Sequence, residues 1–167
     1  EPAFAGDLMY AFTTNTFNAF SLVTGKEIWK WRPAPDSPPI YSKTPPSWIV
    51  QSTECAPLIL DGVEINGKQK DLVIFSSNVC PLTALDRRTG ELIWQFTPPD
   101  NRYIQANIVS YYQGKVFTLA IKGPFSVDNV LCGIDVKTGK VALTDDNKPW
   151  QLETQYKVNG RGALVIN

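Results

Sequence analysis

The sequence contains no histidine, one methionine and three cysteines, and it carries no net charge, with sixteen Lys and Arg against sixteen Asp and Glu in 167 residues. Each shortage removes a class of function. Without histidine there is no imidazole general base and no zinc site built on imidazole. A neutral chain with 19% charged residues lacks the basic excess that nucleic acid or an anionic membrane surface attracts. No apolar run nears the ~20 residues of a membrane-spanning helix, and clean stretches such as Leu72-Val73-Ile74-Phe75 and Ala163-Leu164-Val165-Ile166 are short. Gly-x-Gly-x-x-Gly, Walker and Gly-x-Ser-x-Gly loops and glycosylation acceptors are missing too. Glu1-Pro2-Ala3-Phe4-Ala5-Gly6 has neither an initiating Met nor a charged-then-apolar leader, and reads as a processed or truncated start.

What is present is 43% hydrophobic residues, thirteen prolines and eleven glycines. That excludes a disordered tail. The length suits one ordinary domain burying roughly 70% of the surface its unfolded chain exposes.

The chain repeats itself. Asn18-Ala19-Phe20-Ser21-Leu22-Val23-Thr24-Gly25-Lys26-Glu27-Ile28-Trp29 aligns without a gap on Thr83-Ala84-Leu85-Asp86-Arg87-Arg88-Thr89-Gly90-Glu91-Leu92-Ile93-Trp94. Cys132-Gly133-Ile134-Asp135-Val136-Lys137-Thr138-Gly139-Lys140-Val141-Ala142-Leu143 is a third copy. Each reads small residue, any, Asp or Ser, two residues, Thr-Gly, then an apolar strand. Such a segment is a β-hairpin: the Gly takes the positive φ of the turn, the Asp accepts from turn amides, and alternation resumes beyond it. A Trp at a fixed offset supplies one large flat body per repeat for packing between neighbouring sheets.

Further strands flank each hairpin. Cys55–Leu60, closed by Asp61-Gly62, and Asp71–Phe75 precede the second copy; Ala106–Tyr111, closed by Gln113-Gly114, and Lys115–Ala120 precede the third. The first copy has one strand ahead of it, Asp7–Phe12, and Gly162–Asn167 reads as the first strand of a unit that does not continue. Four-stranded antiparallel units spaced 65 residues (Thr24 to Thr89) and 49 residues (Thr89 to Thr138) predict an all-β chain of β-propeller blades, about two and three-quarter of them. The predicted divisions are a partial blade 1 over 1–32, a Pro-rich connection over 33–52, blade 2 over 53–97, blade 3 over 98–144, and a connection plus the first strand of a further blade over 145–167. Gly62–Lys70 reads as a polar surface loop.

Here the chain resembles the quinoprotein-type β-propellers, whose PQQ-like repeat has a small-x-Asp-x-x-Thr-Gly-x-x-x-Trp core. The resemblance rests on Thr24, Gly25 and Trp29, on Ala84, Asp86, Thr89, Gly90 and Trp94, and on Gly133, Asp135, Thr138 and Gly139. Glu54-Cys55-Ala56-Pro57-Leu58-Ile59-Leu60-Asp61-Gly62 looks like the strand that leads a blade. The departures are Ser21 in place of Asp and Leu143 in place of Trp, implying specialised packing there.

The resemblance covers essentially the whole chain and separates fold from function. The family includes dehydrogenases that use pyrroloquinoline quinone (PQQ) and Ca²⁺ on alcohols or sugars, a lipoprotein that scaffolds outer-membrane barrel assembly, and lumenal sensor domains of kinases. The expectation is a non-catalytic structural or protein-interaction segment of a larger, extracytoplasmic propeller. Its open edges would be capped by missing blades, another chain or a second copy. The alternative is a segment of a PQQ-dependent dehydrogenase. Glu54 is then the residue implied near the cofactor, against the plainer reading of a solvated carboxylate, with Asn78 and Asp86 as imaginable oxygen ligands; for Asp86 the turn role prevails. No vicinal cysteine pair is present.

Cys55 and Cys80 fall near one rim of their blade and are a candidate disulfide in an oxidising compartment, although two strand separations, about 9.6 Å, exceed a disulfide's reach unless the loop folds inward. Cys132 reads as a small buried hydrophobe. Trp31 shares the face of Trp29. Trp48 and Trp150 lie in connections and are candidate partner-surface residues, while Arg87-Arg88 and Asp145-Asp146 read as solvated turns.

Overall fold

The structure, a computed structural model, describes residues 1–13, 16–33, 56–77, 80–98, 102–121 and 129–154. Among these residues there is no helix, and twelve strands form three four-stranded sheets. The first joins β1 (Ala3–Ala5), β2 (Leu8–Thr13), β3 (Thr16–Ser21) and β4 (Glu27–Trp31) in chain order. The second joins β5 (Leu58–Ile65), β6 (Lys68–Ser77), β7 (Cys80–Asp86) and β8 (Leu92–Phe96), and the third β9 (Tyr103–Tyr112), β10 (Lys115–Ile121), β11 (Asn129–Asp135) and β12 (Gln151–Thr154). Every pairing is antiparallel and joins neighbours in sequence.

Three features differ from the sequence reading. The first sheet is complete, because Ala3–Ala5 pairs with Ala5↔Leu8 register across a turn at Gly6. The segment 62–70 is a hairpin extension: β5 runs on through a bulge between Leu60 and Val63, buries Val63 and Ile65, and turns at Asn66-Gly67, both at positive φ. Glu64 and Gln69, paired across the two strands, occupy the outer face, opposite Val63 and Ile65. The fourth strand of the third sheet is Gln151–Thr154, beyond residue 144, since β11 pairs with it from Cys132↔Gln151 to Asn129↔Thr154.

The sheets stack face to face through two apolar layers. Tyr10, Phe17, Ala19 and Trp29 of the first sheet meet Val73, Phe75 and Leu85 of the second, with Phe17 and Phe75 stacked at 3.9 Å and Trp31 edge-on to Phe75 at 5.6 Å. Leu72, Ile74, Leu82, Ala84, Trp94 and Phe96 on the opposite face of the second sheet meet Val116, Ala120, Val130, Cys132, Ile134 and Val136 of the third. The middle sheet is thus apolar on both faces, which is why Leu72-Val73-Ile74-Phe75 forms an unbroken buried run instead of alternating.

Candidate functional site

The repeated hairpins build the contacts between sheets. In the second sheet the Asp86 carboxylate accepts from the amides of Arg88 (2.9 Å) and Thr89 (3.2 Å), while the Gly90 amide donates to the Asp86 carbonyl (2.9 Å). Asp135 does the same in the third, accepting from Lys137 (3.0 Å), the Thr138 amide (2.8 Å) and the Thr138 hydroxyl (2.9 Å). Ser21, in the first sheet, holds its turn by a single side-chain contact from the Thr24 amide at 3.1 Å. The shorter hydroxyl accepts once where a carboxylate oxygen accepts repeatedly.

The glycine that closes each turn leaves a flat surface for an indole. A Cβ on Gly90 would lie 2.7 Å from Trp29 Cδ2, and one on Gly139 2.6 Å from Trp94 Cγ, so the ring of each Trp rests on the turn of the following sheet. Each indole also donates to the carbonyl just after the repeat Asp: Trp29 Nε1 to Arg87 at 3.1 Å, Trp94 Nε1 to Val136 at 2.8 Å. The Tyr10 hydroxyl reaches the same Arg87 carbonyl at 3.4 Å, and burial pushes its pKa up to about 12. Thr24, Thr89 and Thr138 close the turns by accepting from Lys26, Glu91 and Lys140.

Trp150, read from sequence as part of a connection, holds the corresponding place in the third sheet. In the first two sheets a one-residue bulge, at Ile28 or Ile93, precedes the Trp, which then pairs with the small residue of the repeat, Ala19↔Trp29 and Ala84↔Trp94. In the third, Ile134 pairs with Val141 and the Gly133 amide donates to the Trp150 carbonyl at 2.9 Å. The bulge there has grown into the excursion 142–149, closed by Leu143↔Pro149 and a turn from Thr144 to Lys148. Leu143 is therefore part of an insertion rather than a replacement for the Trp. The register against Gly133 carries the signal, which a gapless alignment passes over. Trp150 lies against Gly133 and edge-on to Phe117 at 4.7 Å.

Arg87-Arg88 form an ion-pair network where a solvated turn is expected. Arg87 meets Asp61 at 2.7 Å and Asp71 at 3.6 Å, and Arg88 meets Asp71 at 2.7 Å. The Arg88 guanidinium, then the Gly62 amide, hold the Asp71 carboxyl below its ordinary value. Burial pulls Asp86 upward, but the Lys70 ammonium at 2.7 Å and the amides of Arg88 and Thr89 outweigh it and hold it low. Burial pushes the Cys132 thiol up to about 11.

Glu54, Cys55, Trp48 and Asn78 lie outside the described residues, as does the side chain of Cys80. Among the described residues, no three carboxylates or cysteines converge on a point where they could hold a metal ion. Asp71, Asp86 and Asp135 are engaged by guanidinium, ammonium or turn amides.

No protein-family model and no curated protein matches the chain. Solved structures do. A europium-containing methanol dehydrogenase matches with a TM-score of 0.59 at 18% identity over 91% of this chain and 24% of its own. A quinohemoprotein alcohol dehydrogenase from Comamonas testosteroni matches with a TM-score of 0.59 at 18% identity over 91% of this chain and 20% of its own. BamB from Moraxella catarrhalis matches with a TM-score of 0.50 at 16% identity over 83% of this chain and 34% of its own. The chain thus spans between 20% and 34% of the length of these proteins. The likeness is one of fold: three sheets stacked as blades of a quinoprotein-like β-propeller, not closed into a ring.

Proposed function

We propose that this chain is a non-catalytic segment of a quinoprotein-like β-propeller, serving as a structural or protein-interaction module within a larger protein or assembly. The observation that carries the reading is how the repeat residues are used. Asp86 and Asp135 accept from turn amides, and Trp29 and Trp94 lie on the turns of the next blade, so the repeat's polar and aromatic groups serve blade-to-blade assembly. The partners of such a module are further blades or another chain that covers the open faces. We place it in an extracytoplasmic space, following the family it resembles, where the candidate Cys55–Cys80 disulfide could form.

A second reading is favoured by the likeness to methanol and alcohol dehydrogenases. In it the chain is part of a PQQ-dependent dehydrogenase, with Glu54 facing the quinone and Ca²⁺ and the remaining ligands supplied by other blades. The test is to add PQQ with Ca²⁺, or with a lanthanide, to the purified chain. The first reading expects an additive absorption spectrum and no dye-linked alcohol oxidation. A new bound chromophore that Glu54→Ala abolishes would overturn it.

A further inference from the structure

The two blade contacts inside the molecule define a plug and a socket. The plug is a Trp beside the small residue of the repeat, with an apolar residue two places later: Trp29 with Trp31, and Trp94 with Phe96. The socket is the Gly of the following turn, the carbonyl after the repeat Asp, and the apolar residues behind them: Val73, Phe75 and Leu85 around Gly90. Two such contacts use two plugs and two sockets, and among the described residues there is one more of each.

The spare plug is on the third blade. Trp150 and Leu152 hold the places of Trp94 and Phe96 by register, Leu131↔Leu152 corresponding to Leu82↔Phe96. Yet Leu152 is 56% exposed where Phe96 is 5% exposed. The spare socket is on the first blade, on the face turned away from the second. Met9, Ala11 and Phe20 correspond by register to Val73, Phe75 and Leu85, and with Leu22 and Gly25 they line an apolar groove of about 390 Å³. Ala11 stands where Phe75 stands in the filled socket, and the missing ring opens the groove. Nothing lies within 4 Å of the position a Cβ would take on Gly25, whereas Trp rings cover Gly90 and Gly139. Among the described residues, neither the Trp150 indole N–H nor the Leu22 carbonyl, the counterpart of the Arg87 and Val136 acceptors, makes a hydrogen bond.

We infer that the groove over Gly25 receives Trp150 of a second copy of this chain, with the indole on the Gly25 turn and its N–H donating to the Leu22 carbonyl. The inference rests on the reading of the chain as an interaction module and names its partner. The contact is heterologous, so it repeats: the partner's groove is offered Trp150 of the first copy. Two copies joined in this way bring together six of the described four-stranded sheets, within the range of four to eight blades that propellers use. The two faces suit each other because both are versions of surfaces already packed together twice in the molecule.

The test is sedimentation velocity or native mass spectrometry on the whole chain from about 1 to 100 μM, on the wild type, Trp150→Ala and Ala11→Glu, with circular dichroism to confirm folding. The expected result is a two-copy species in the wild type and at least about tenfold weaker association in each variant, as for truncation of a buried aromatic anchor. Mixing the variants should restore part of the association, because an intact Trp150 and an intact groove then meet once. A single copy at every concentration, or association that neither variant alters, overturns the inference. That failure leaves the module with a different partner, whereas a PQQ chromophore would overturn the module itself. If Trp150→Ala does not fold, Ala11→Glu and the Trp150→Phe variant, expected to associate with intermediate strength, decide.

Discussion

At the residue scale, Gly25, Gly90 and Gly139 share one backbone conformation, with φ of 69°, 75° and 69°, but differ in what lies over them. That difference separates two roles that sequence alone merges. Gly25→Ala meets open space, so in dilute protein it should lower stability by only the backbone penalty, about 1 kcal/mol. Gly90→Ala also drives a methyl into the Trp29 ring and should cost about 2–4 kcal/mol, read as a shift of the urea midpoint. Equal losses would mean that the indole does not rest on the turn. Charge gives a second test. The folded pKa values of Asp71 and Asp86 are lowered, so their contribution is fully present above the unfolded carboxylate value near 4 and is lost as pH falls through the folded values. Stability should therefore drop in acid, and Asp86→Asn should flatten the drop measured by urea titration from pH 6 to 2. The Asp of the second and third turns and the Gly of all three were legible in the sequence because they act on their own backbone. The Arg87 and Arg88 ion pairs were not, since Asp61 and Asp71 reach them only across the sheet.

At the scale of the element, β strands were legible wherever a hairpin is short and its turn residues specific. Two misreadings have a common origin. A bulge shifts the period-two pattern by one residue, so Asp61-Gly62 resembles the end of a strand when it is a kink within β5, and Ala142 resembles mid-strand when it begins an excursion. Ala3–Ala5 escaped notice because three residues are too few to show alternation. The excursion makes a direct prediction. Deleting Leu143 to Pro149 joins Ala142 to Trp150 and recreates the Thr-Gly-x-x-x-Trp spacing of the second blade. The shortened chain should keep its circular dichroism spectrum and lie within about 1 kcal/mol of the parent, whereas Trp94→Ala should lose about 3–5 kcal/mol. Unfolding of the deletion variant would show that the excursion supports the blade rather than interrupting it.

At the scale of the whole molecule, the sequence carried the blade plan because the plan is repeated, and repetition is visible without knowing which side chains touch. The order of contact was not legible. Nothing in a single repeat says that its Trp lies on the next turn rather than its own; that follows only from Trp29 meeting Gly90 and Trp94 meeting Gly139. The candidate cofactor residue was legible only through family likeness, and Glu54 falls outside the described residues, so its role belongs to the quinone-binding test.

The bulge beside each docking Trp has a wider meaning. It uncouples chain length from packing: the ladder is already interrupted there, so polypeptide can be added without moving the strands on either side, as 142–149 demonstrates. Ile28 and Ile93 mark the same permissive locus on the other two blades. A short foreign peptide spliced in at Ile93 should be displayed at the start of β8 while Trp94 still finds its turn, which makes this stack a carrier for grafted epitopes.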